Sequence, residues 1–313
     1  MNDNSCKPKL AFFVNKNLDS FLGDVISALS EAYETRKIIV SDLKQIGEGM
    51  EWSDICWFEW CDNLIIYASK LPIAQNRKII CRLHSYEAFA GYPARVNWSV
   101  VDTIVFVSPG IQEYTVNKYK IDRQKTQVIP NGIDLNKYSF QKRNHGFRIA
   151  YVGYINYKKG PMLLIHTFKA MLDHDSRYGL YIAGLFQDDR YVLYFKQMME
   201  EWGIRGHVCF CGWQKDLNHW LDDKNYILCS SVLESQNVSV MQAMAKGIKP
   251  IIHNFVGAGS IYPKEYLFNS ISEAVDKLGG AYNSAEYRKF IEGHYSLEKQ
   301  KASLNTLLSK IAS

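Results

Sequence analysis

Long apolar runs are missing from this 313-residue sequence. No stretch reaches the length needed to cross a bilayer, and Leu10 to Val14 is too short for the core of a secretion signal, so a cytoplasmic location is expected. Cysteine is scarce and unpaired. Seven residues, an odd number without framework spacing, exclude a disulfide scaffold and fit a reducing compartment. Cys209 and Cys211 lie two apart on an expected strand and share a face. They read as a buried reduced pair, since a zinc half-site would need a second Cys/His pair at ligand spacing. Excess charge of one sign is also lacking. A formal net charge of +5 suits an anionic ligand such as a diphosphate, or a peripheral contact at the inner face of a membrane. It falls short of a nucleic-acid signature, so no nucleic-acid partner is expected. Glycine-rich phosphate loops are absent from the first half. Asn15 to Gly23 holds one glycine, which excludes a dinucleotide fingerprint and a P-loop. The sole Asp-x-Asp, Asp173-His-Asp175, falls at a helix end rather than after a strand and reads as solvated loop, so no metal is expected.

What is present is a repeated alternation of strands and helices. The length calls for two domains, and 47% hydrophobic with 22% charged residues is the composition of a soluble globular chain. Leu10–Val14, Lys37–Val40, Asp54–Phe58, Lys78–Cys81 and Thr103–Val107 read as strands. Phe21, Leu22, Val25, Ile26, Leu29 and Tyr33 fall at helical spacing between the first two. This alternation predicts an α/β fold with doubly wound parallel sheets, whose ligands lie at the strand C-terminal edge. At those edges stand Asn15, Glu59, His84 to Glu87 and Ser108. His84 reads either as a strand-end histidine bonded to backbone or as a site residue, and Glu87 first as the partner of Arg82 and second as a group acting on an acceptor hydroxyl. Lys118, Lys120, Arg123 and Lys125, with Lys142-Arg143, form a basic cluster. It reads first as solvated surface and second as a contact for anionic lipid or a lipid-linked glycan.

Val128-Ile-Pro-Asn-Gly-Ile-Asp134 is a turn by composition, and the polar stretch from Leu135 to Gly146 reads as the domain boundary. A second alternation starts at Phe147–Val152. Gly153 then lets the chain turn off the strand, and Lys158-Lys159-Gly160 precedes a helix. A lysine at a helix start is unfavourable for the helix dipole, and by itself it reads as solvated surface or as the partner of a bound anion. Tyr226–Cys229 is a buried-strand run leading into Ser230 to Ser239, a polar loop that carries Glu234. The helix after it is read as starting near Ser239, with a capping box closed by Gln242. Polar loop, acid and open helix amides together point to a sugar phosphate.

These second-half motifs resemble the retaining glycosyltransferases of family 4. The matching residues are Ile-Pro-Asn-Gly-Ile-Asp134, Val-Gly-(five residues)-Lys159-Gly160, Phe-Cys-Gly212, and Ser-(three residues)-Glu234 followed by Ala243-Met-Ala-Lys-Gly247. The first half matches in architecture and in His84. The resemblance implies the GT-B architecture, two doubly wound Rossmann-like domains facing across a cleft. The expected bounds are an acceptor domain at 1–140, a donor domain at 146–294, and a final helix, 295–313, packing back on the first domain. It implies sugar transfer, with retention and without a metal or other cofactor, from a nucleotide-sugar donor to a glycan or lipid-linked acceptor. Glu234 would bind donor-sugar hydroxyls, Lys159 would neutralise the leaving diphosphate, and His84 would lie near the reacting side. Gly153 and Tyr154 would line the donor site. Ser235, Gln236, Asn237, Val238 and Ser239 would offer backbone amides to it.

Three positions depart from the family pattern. Gln242 replaces the second acid of the Glu-(seven residues)-Glu motif, and an amide loses the strength of a charge-assisted bond to a ribose diol. Tyr154 replaces an arginine, and Phe21-Leu-Gly-Asp24 replaces a tandem glycine. Two other functions are therefore carried forward: a catalytically weakened relative kept as a binding subunit, and a sugar-nucleotide epimerase. Of Trp52, Trp57, Trp60, Tyr86, Phe89 and Tyr92 in the first half, most read as core and some as able to stack on an acceptor sugar.

Overall fold

The structure, a computed structural model, describes residues 7–19 and 22–312. Phe21, part of the expected first helix and of the Phe21–Asp24 stretch, lies outside them. The chain forms two compact units, Met1–Pro130 with Glu298–Ser313, and Asn131–Leu297.

The first unit runs β1 (Lys9–Asn15), α1 (Leu22–Leu29), β2 (Glu34–Val40), α2 (Lys44–Trp52), β3 (Ile55–Glu59) and α3 (Asn63–Ala68). It continues through β4 (Lys78–Leu83), α4 (Ser85–Ala90), β5 (Thr103–Phe106), α5 (Pro109–Tyr119) and β6 (Thr126–Val128). The strands pair in the order β2-β1-β3-β4-β5-β6, all parallel. Strands covered on both faces need apolar residues at every position, which is why β1 and β3 read as continuous hydrophobic runs. Phe13 and Phe58 stack at 4.7 Å on one face above Met50 of α2. Phe12, Trp57 and Ile80 fill the other. The chain's last helix, Leu297–Ala312, closes that second face with Leu304, Leu307, Leu308 and Ile311, a helical stripe.

The second unit runs β7 (Arg148–Val152), α6 (Pro161–His174), β8 (Gly179–Ala183), α7 (Asp189–Glu201), β9 (Val208–Gly212) and α8 (Leu217–Trp220). Then follow β10 (Tyr226–Cys229), α9 (Val238–Ala245), β11 (Lys249–His253), β12 (Leu267–Phe268), α10 (Ile271–Asp276) and α11 (Ser284–His294). The order β12-β11-β10-β7-β8-β9 is again all parallel. It reverses between β7 and β10, and the loops leaving those two strands diverge to opposite faces.

Two expectations are corrected here. The units divide between Pro130 and Asn131, ahead of the polar stretch taken for the boundary. That stretch is fixed to the second unit. Arg288 donates to the carbonyls of Tyr138 at 2.8 Å and Leu135 at 3.3 Å, and Arg143 is buried with its guanidinium on the carbonyls of Asp222, Lys224 and Lys246. The basic cluster is surface, as first expected: Lys118, Lys120, Arg123 and Lys142 are exposed. Lys125 donates to the carbonyls of Trp98, Ser99 and Val101, and Arg123 pairs with Glu113 at 2.6 Å. Cys209 is exposed and Cys211 partly so, because β9 ends its sheet instead of lying inside it.

One close approach in the second sheet is open to test. A Cβ on Gly184 would stand 1.9 Å from the Gly153 carbonyl oxygen, whereas one on Gly206 would meet nothing within 4 Å. Gly184→Ala should therefore lower stability by about 1–3 kcal/mol. Gly206→Ala should stay within about 0.5 kcal/mol. Urea denaturation of both variants decides it, and equal midpoints would contradict the packing.

Candidate functional site

The reversal between β7 and β10 brings together the two residues that the sequence singles out most strongly. After β7 the chain turns at Gly153 and reaches Lys159 in a short 3-10 turn, Tyr157–Lys159. Gly160 follows with φ +61°, and a Cβ there would sit 2.1 Å from the Ser230 carbonyl oxygen at the end of β10. Only glycine permits that approach. Ser230 Oγ donates to the Lys159 carbonyl at 2.8 Å, and the Val232 amide donates to the Lys158 carbonyl at 2.8 Å. The two loops are thereby sewn together, and Lys159 Nζ meets Glu234 Oε1 in an ion pair. The same Glu234 oxygen accepts from Ser231 Oγ at 2.9 Å. Both charged groups are largely buried, where an ion pair is far less screened than at a surface.

The loop residues after Glu234 divide into two sets. Gln236 is structural: its side chain accepts from the Asn131 amide at 2.7 Å and donates to the Asn131 carbonyl at 2.9 Å. Asn237, not Ser239, caps α9, accepting from the Val240 amide, so the expected Ser239–Gln242 capping box does not form. The cause is that α9 starts one residue earlier, at Val238. The Val238 amide is taken by the Gln236 carbonyl at 3.1 Å and is not available to a ligand. The amides of Ser235, Gln236, Asn237 and Ser239 have no acceptor among the described residues. Val238, Ser239 and Gln242 make up the partly exposed side of α9, whose other residues are buried.

Two neighbours, Trp213 and His253, escaped the sequence reading. Tyr154 is 40% exposed and packs against Trp213, 56% exposed, with ring centroids 4.9 Å apart. The two rings leave different strand ends, β7 and β9, so nothing in their spacing announces the contact. His253, at the end of β11, holds the Ser231 carbonyl through Nδ1 at 2.8 Å and backs the Glu234 loop. A polar residue ending a strand was the available signal.

In the first unit, His84 joins a buried polar cluster. Glu59 Oε1 receives Arg82 at 3.2 Å and lies 3.3 Å from His84 Nε2, while Trp57 Nε1 donates to Glu59 Oε2 at 2.9 Å. Arg82 thus pairs with Glu59, not with Glu87 as expected, because adjacent parallel strands set residues 59 and 82 side by side. Burial opposes charge on Glu59, but Arg82, His84 and Trp57 outweigh it and hold the carboxyl below its ordinary range. Glu87 instead closes a capping box with His84 at the start of α4 and accepts from the Cys61 amide at 3.0 Å. The Trp60 ring lies 4.2 Å from the imidazole, on a backbone with φ +81°. Between β1 and β3, where this sheet reverses, Asn15 donates to Asp62 at 2.6 Å. Asp173 and Asp175 pair with Lys169 and Arg177.

With this geometry in hand, comparisons with known proteins give a consistent result. The profile described as Glycosyl transferases group 1 matches residues 133–266, and that described as Glycosyltransferase Family 4 matches residues 58–137. The protein YtcC of Bacillus subtilis (strain 168), a glycosyltransferase by assignment, is 24% identical over 295 residues, covering 80% of this chain and 70% of its own. The Escherichia coli UDP-Gal:alpha-D-GlcNAc-diphosphoundecaprenol alpha-1,3-galactosyltransferase is 20% identical over 50% of this chain and 43% of that protein. Among solved structures, Anabaena Alr3699/HepE in complex with UDP superposes with a TM-score of 0.80 at 14% identity. It covers 96% of this chain and 100% of that one. That likeness shows the fold, the GT-B class.

Asp62 supplies a pH-dependent readout of the first unit. Burial is the main cause that raises its carboxyl to about 6, offset in part by the Leu64 amide and Asn15, with Glu87 adding repulsion. A raised acid favours the native state only while protonated, so stability should fall as pH rises from about 4 through about 6. The full penalty, roughly 3 kcal/mol at most, applies above that. Asp62→Asn should flatten this slope and be at least as stable as the parent near pH 7.5. Denaturant melts across that pH range test it, and an unchanged slope would contradict the assignment.

Proposed function

The chain belongs to the family 4 glycosyltransferases, and from that premise we propose that the β7/β10 loops of its second unit bind a nucleotide-diphosphate sugar. The sugar passes to an acceptor hydroxyl with retention of anomeric configuration. The observation that carries this reading is the buried Lys159–Glu234 pair at the strand reversal, beside a loop with open amides. A diphosphate entering there offers Lys159 a second anionic partner, and the Glu234 carboxylate is then available to the hydroxyls of the donor sugar. The amides of Ser235 and Ser239 and the start of α9 add partial positive charge on the same side.

Cleavage at the anomeric carbon leaves an oxocarbenium-like sugar and a diphosphate gaining negative charge. Stabilising that charge is the main catalytic demand, and in a site of low polarity a fixed ammonium is worth far more than in water. With Tyr154 in place of a second cation, Lys159 carries most of it. The acceptor oxygen attacks on the face that the diphosphate leaves, and the diphosphate takes its proton. Glu234 is engaged with Lys159 and Ser231 and is not assigned as a nucleophile. The reaction is read as metal-independent, and the pairing of Asp173 and Asp175 with cations of their own supports this. Gln242, partly exposed one turn along α9, is placed to hydrogen-bond a ribose diol, and the Tyr154–Trp213 rings offer the base an apolar face. His84 is assigned a place near the reacting side by the family resemblance alone. A glycan or lipid-linked acceptor, bound by the first unit near exposed Tyr86 and Phe89, completes the reading, with peripheral membrane contact as its corollary.

Isothermal calorimetry with UDP and GDP, then product analysis on a nucleotide-sugar panel, tests the function. Free epimerised donor would favour the epimerase, and binding without turnover the weakened relative. Lys159→Ala should reduce turnover by about 10²–10³. A change below a few-fold, in protein of unaltered thermal stability, would refute its role. Turnover should survive chelation of divalent metal. Gln242→Glu should keep activity or tighten nucleotide binding, whereas a large weakening would make Gln242 a structural residue.

A further inference from the structure

The exposed edge strand β9 carries a feature that sugar transfer does not use. Cys209 Sγ and Cys211 Sγ lie 3.7 Å apart on one face, and neither is in a disulfide. The ladder between β8 and β9 pairs Ile182 with Phe210 and then Ala183 with Gly212, leaving Cys211 as the extra residue of a bulge. The bulge matters geometrically. Residues two apart on a regular strand have Cα atoms about 6.8 Å apart, at the outer limit for a disulfide. A bulge bends the strand and raises its twist, and here the two sulfurs stand 3.7 Å apart. Phe210 points the other way and packs on Phe186 and Phe195, which anchors the strand from behind. Past the bulge, Gly212 takes φ +68°, Gln214 Nε2 donates to the Cys211 carbonyl at 2.6 Å, and Trp213 stacks on Tyr154. The geometry of Cys211 is therefore tied to the turn that sets the Trp213 ring.

We propose that Cys209 and Cys211 are a redox-closable dithiol, oxidised reversibly to an intrastrand disulfide by exchange with a low-molecular-weight disulfide, and that closure repacks the Trp213 ring against Tyr154. Cys209, the more exposed thiol, enters first. Its thiolate attacks one sulfur of the small disulfide, the S–S bond breaks, and one thiolate leaves and takes up a proton. Cys211 then loses its proton to solvent and attacks Cys209 Sγ, expelling the second small thiol. Two protein thiols are oxidised and one disulfide is reduced to two thiols. Burial holds the Cys211 thiol above its ordinary range, which suits the resolving role better than the entering one.

The test uses the full chain in a Cys6→Ser background, equilibrated with glutathione disulfide and glutathione at graded ratios and then alkylated. Expected is the loss of two alkylatable thiols and of two hydrogen masses, mapped to the peptide holding residues 209–211 and reversed by dithiothreitol. In Cys211→Ser the same treatment should leave a persistent glutathione adduct on Cys209. Tryptophan emission should differ between the reduced and oxidised forms, and the difference should vanish in Trp213→Phe. Wild-type protein that stays fully alkylatable, or that only accumulates glutathione adducts, would overturn the closure. Oxidation that leaves emission unchanged would overturn the coupling to Trp213. Neither outcome depends on nucleotide binding, so the proposal and the donor-site reading can fail separately.

Discussion

The near-contact between Gly160 and the Ser230 carbonyl governs the second unit's site. Two loops that the topology sends to opposite faces of a sheet are held against each other there by main-chain groups. The Lys159–Glu234 pair is a result of that approach, not its cause. Any side chain at position 160 would separate the loops, and the ammonium would lose the carboxylate before losing its own fold. Conformational freedom at one residue thus supports the electrostatics of the whole site.

The sequence made the strands legible because parallel sheets bury both faces and leave apolar runs with no alternation to decode. Glu234 and Lys159 were legible because each follows such a run at a strand's C-terminal end. The identity of the α9 cap was not, since Asn237 and Ser239 are equally good cap residues and only the φ/ψ path through the loop chooses between them. The unit boundary was missed for a related reason. Residues 135–146 are polar in composition, yet Arg143 is buried on carbonyl oxygens, and composition cannot distinguish a solvated arginine from one that ties a segment down. Arg82 had Glu87 near it in sequence, but strand register set it beside Glu59, which is distant along the chain.

The first unit spends its polar residues differently. Glu59, Arg82, His84, Trp57 and Glu87 form a buried network in which most hydrogen-bonding groups are matched, and such networks fix one arrangement more strongly than apolar packing does. Trp60 holds a backbone conformation that bulky residues rarely adopt, directly over the imidazole. Strain of this kind persists only where the surroundings enforce it. The ring of His84 is therefore held in one orientation by its neighbours on every side that the structure describes.

The last helix has a temporal consequence. It belongs to the first unit although the whole second unit precedes it in the chain. On the ribosome, Phe12, Trp57 and Ile80 must wait for Leu304, Leu307 and Leu308 until the whole second unit has been added. Domains tend to mature in the order of their synthesis. Here the earlier unit is completed after the later one, and part of one apolar face of its sheet remains a surface for chaperones or misassembly until that helix emerges.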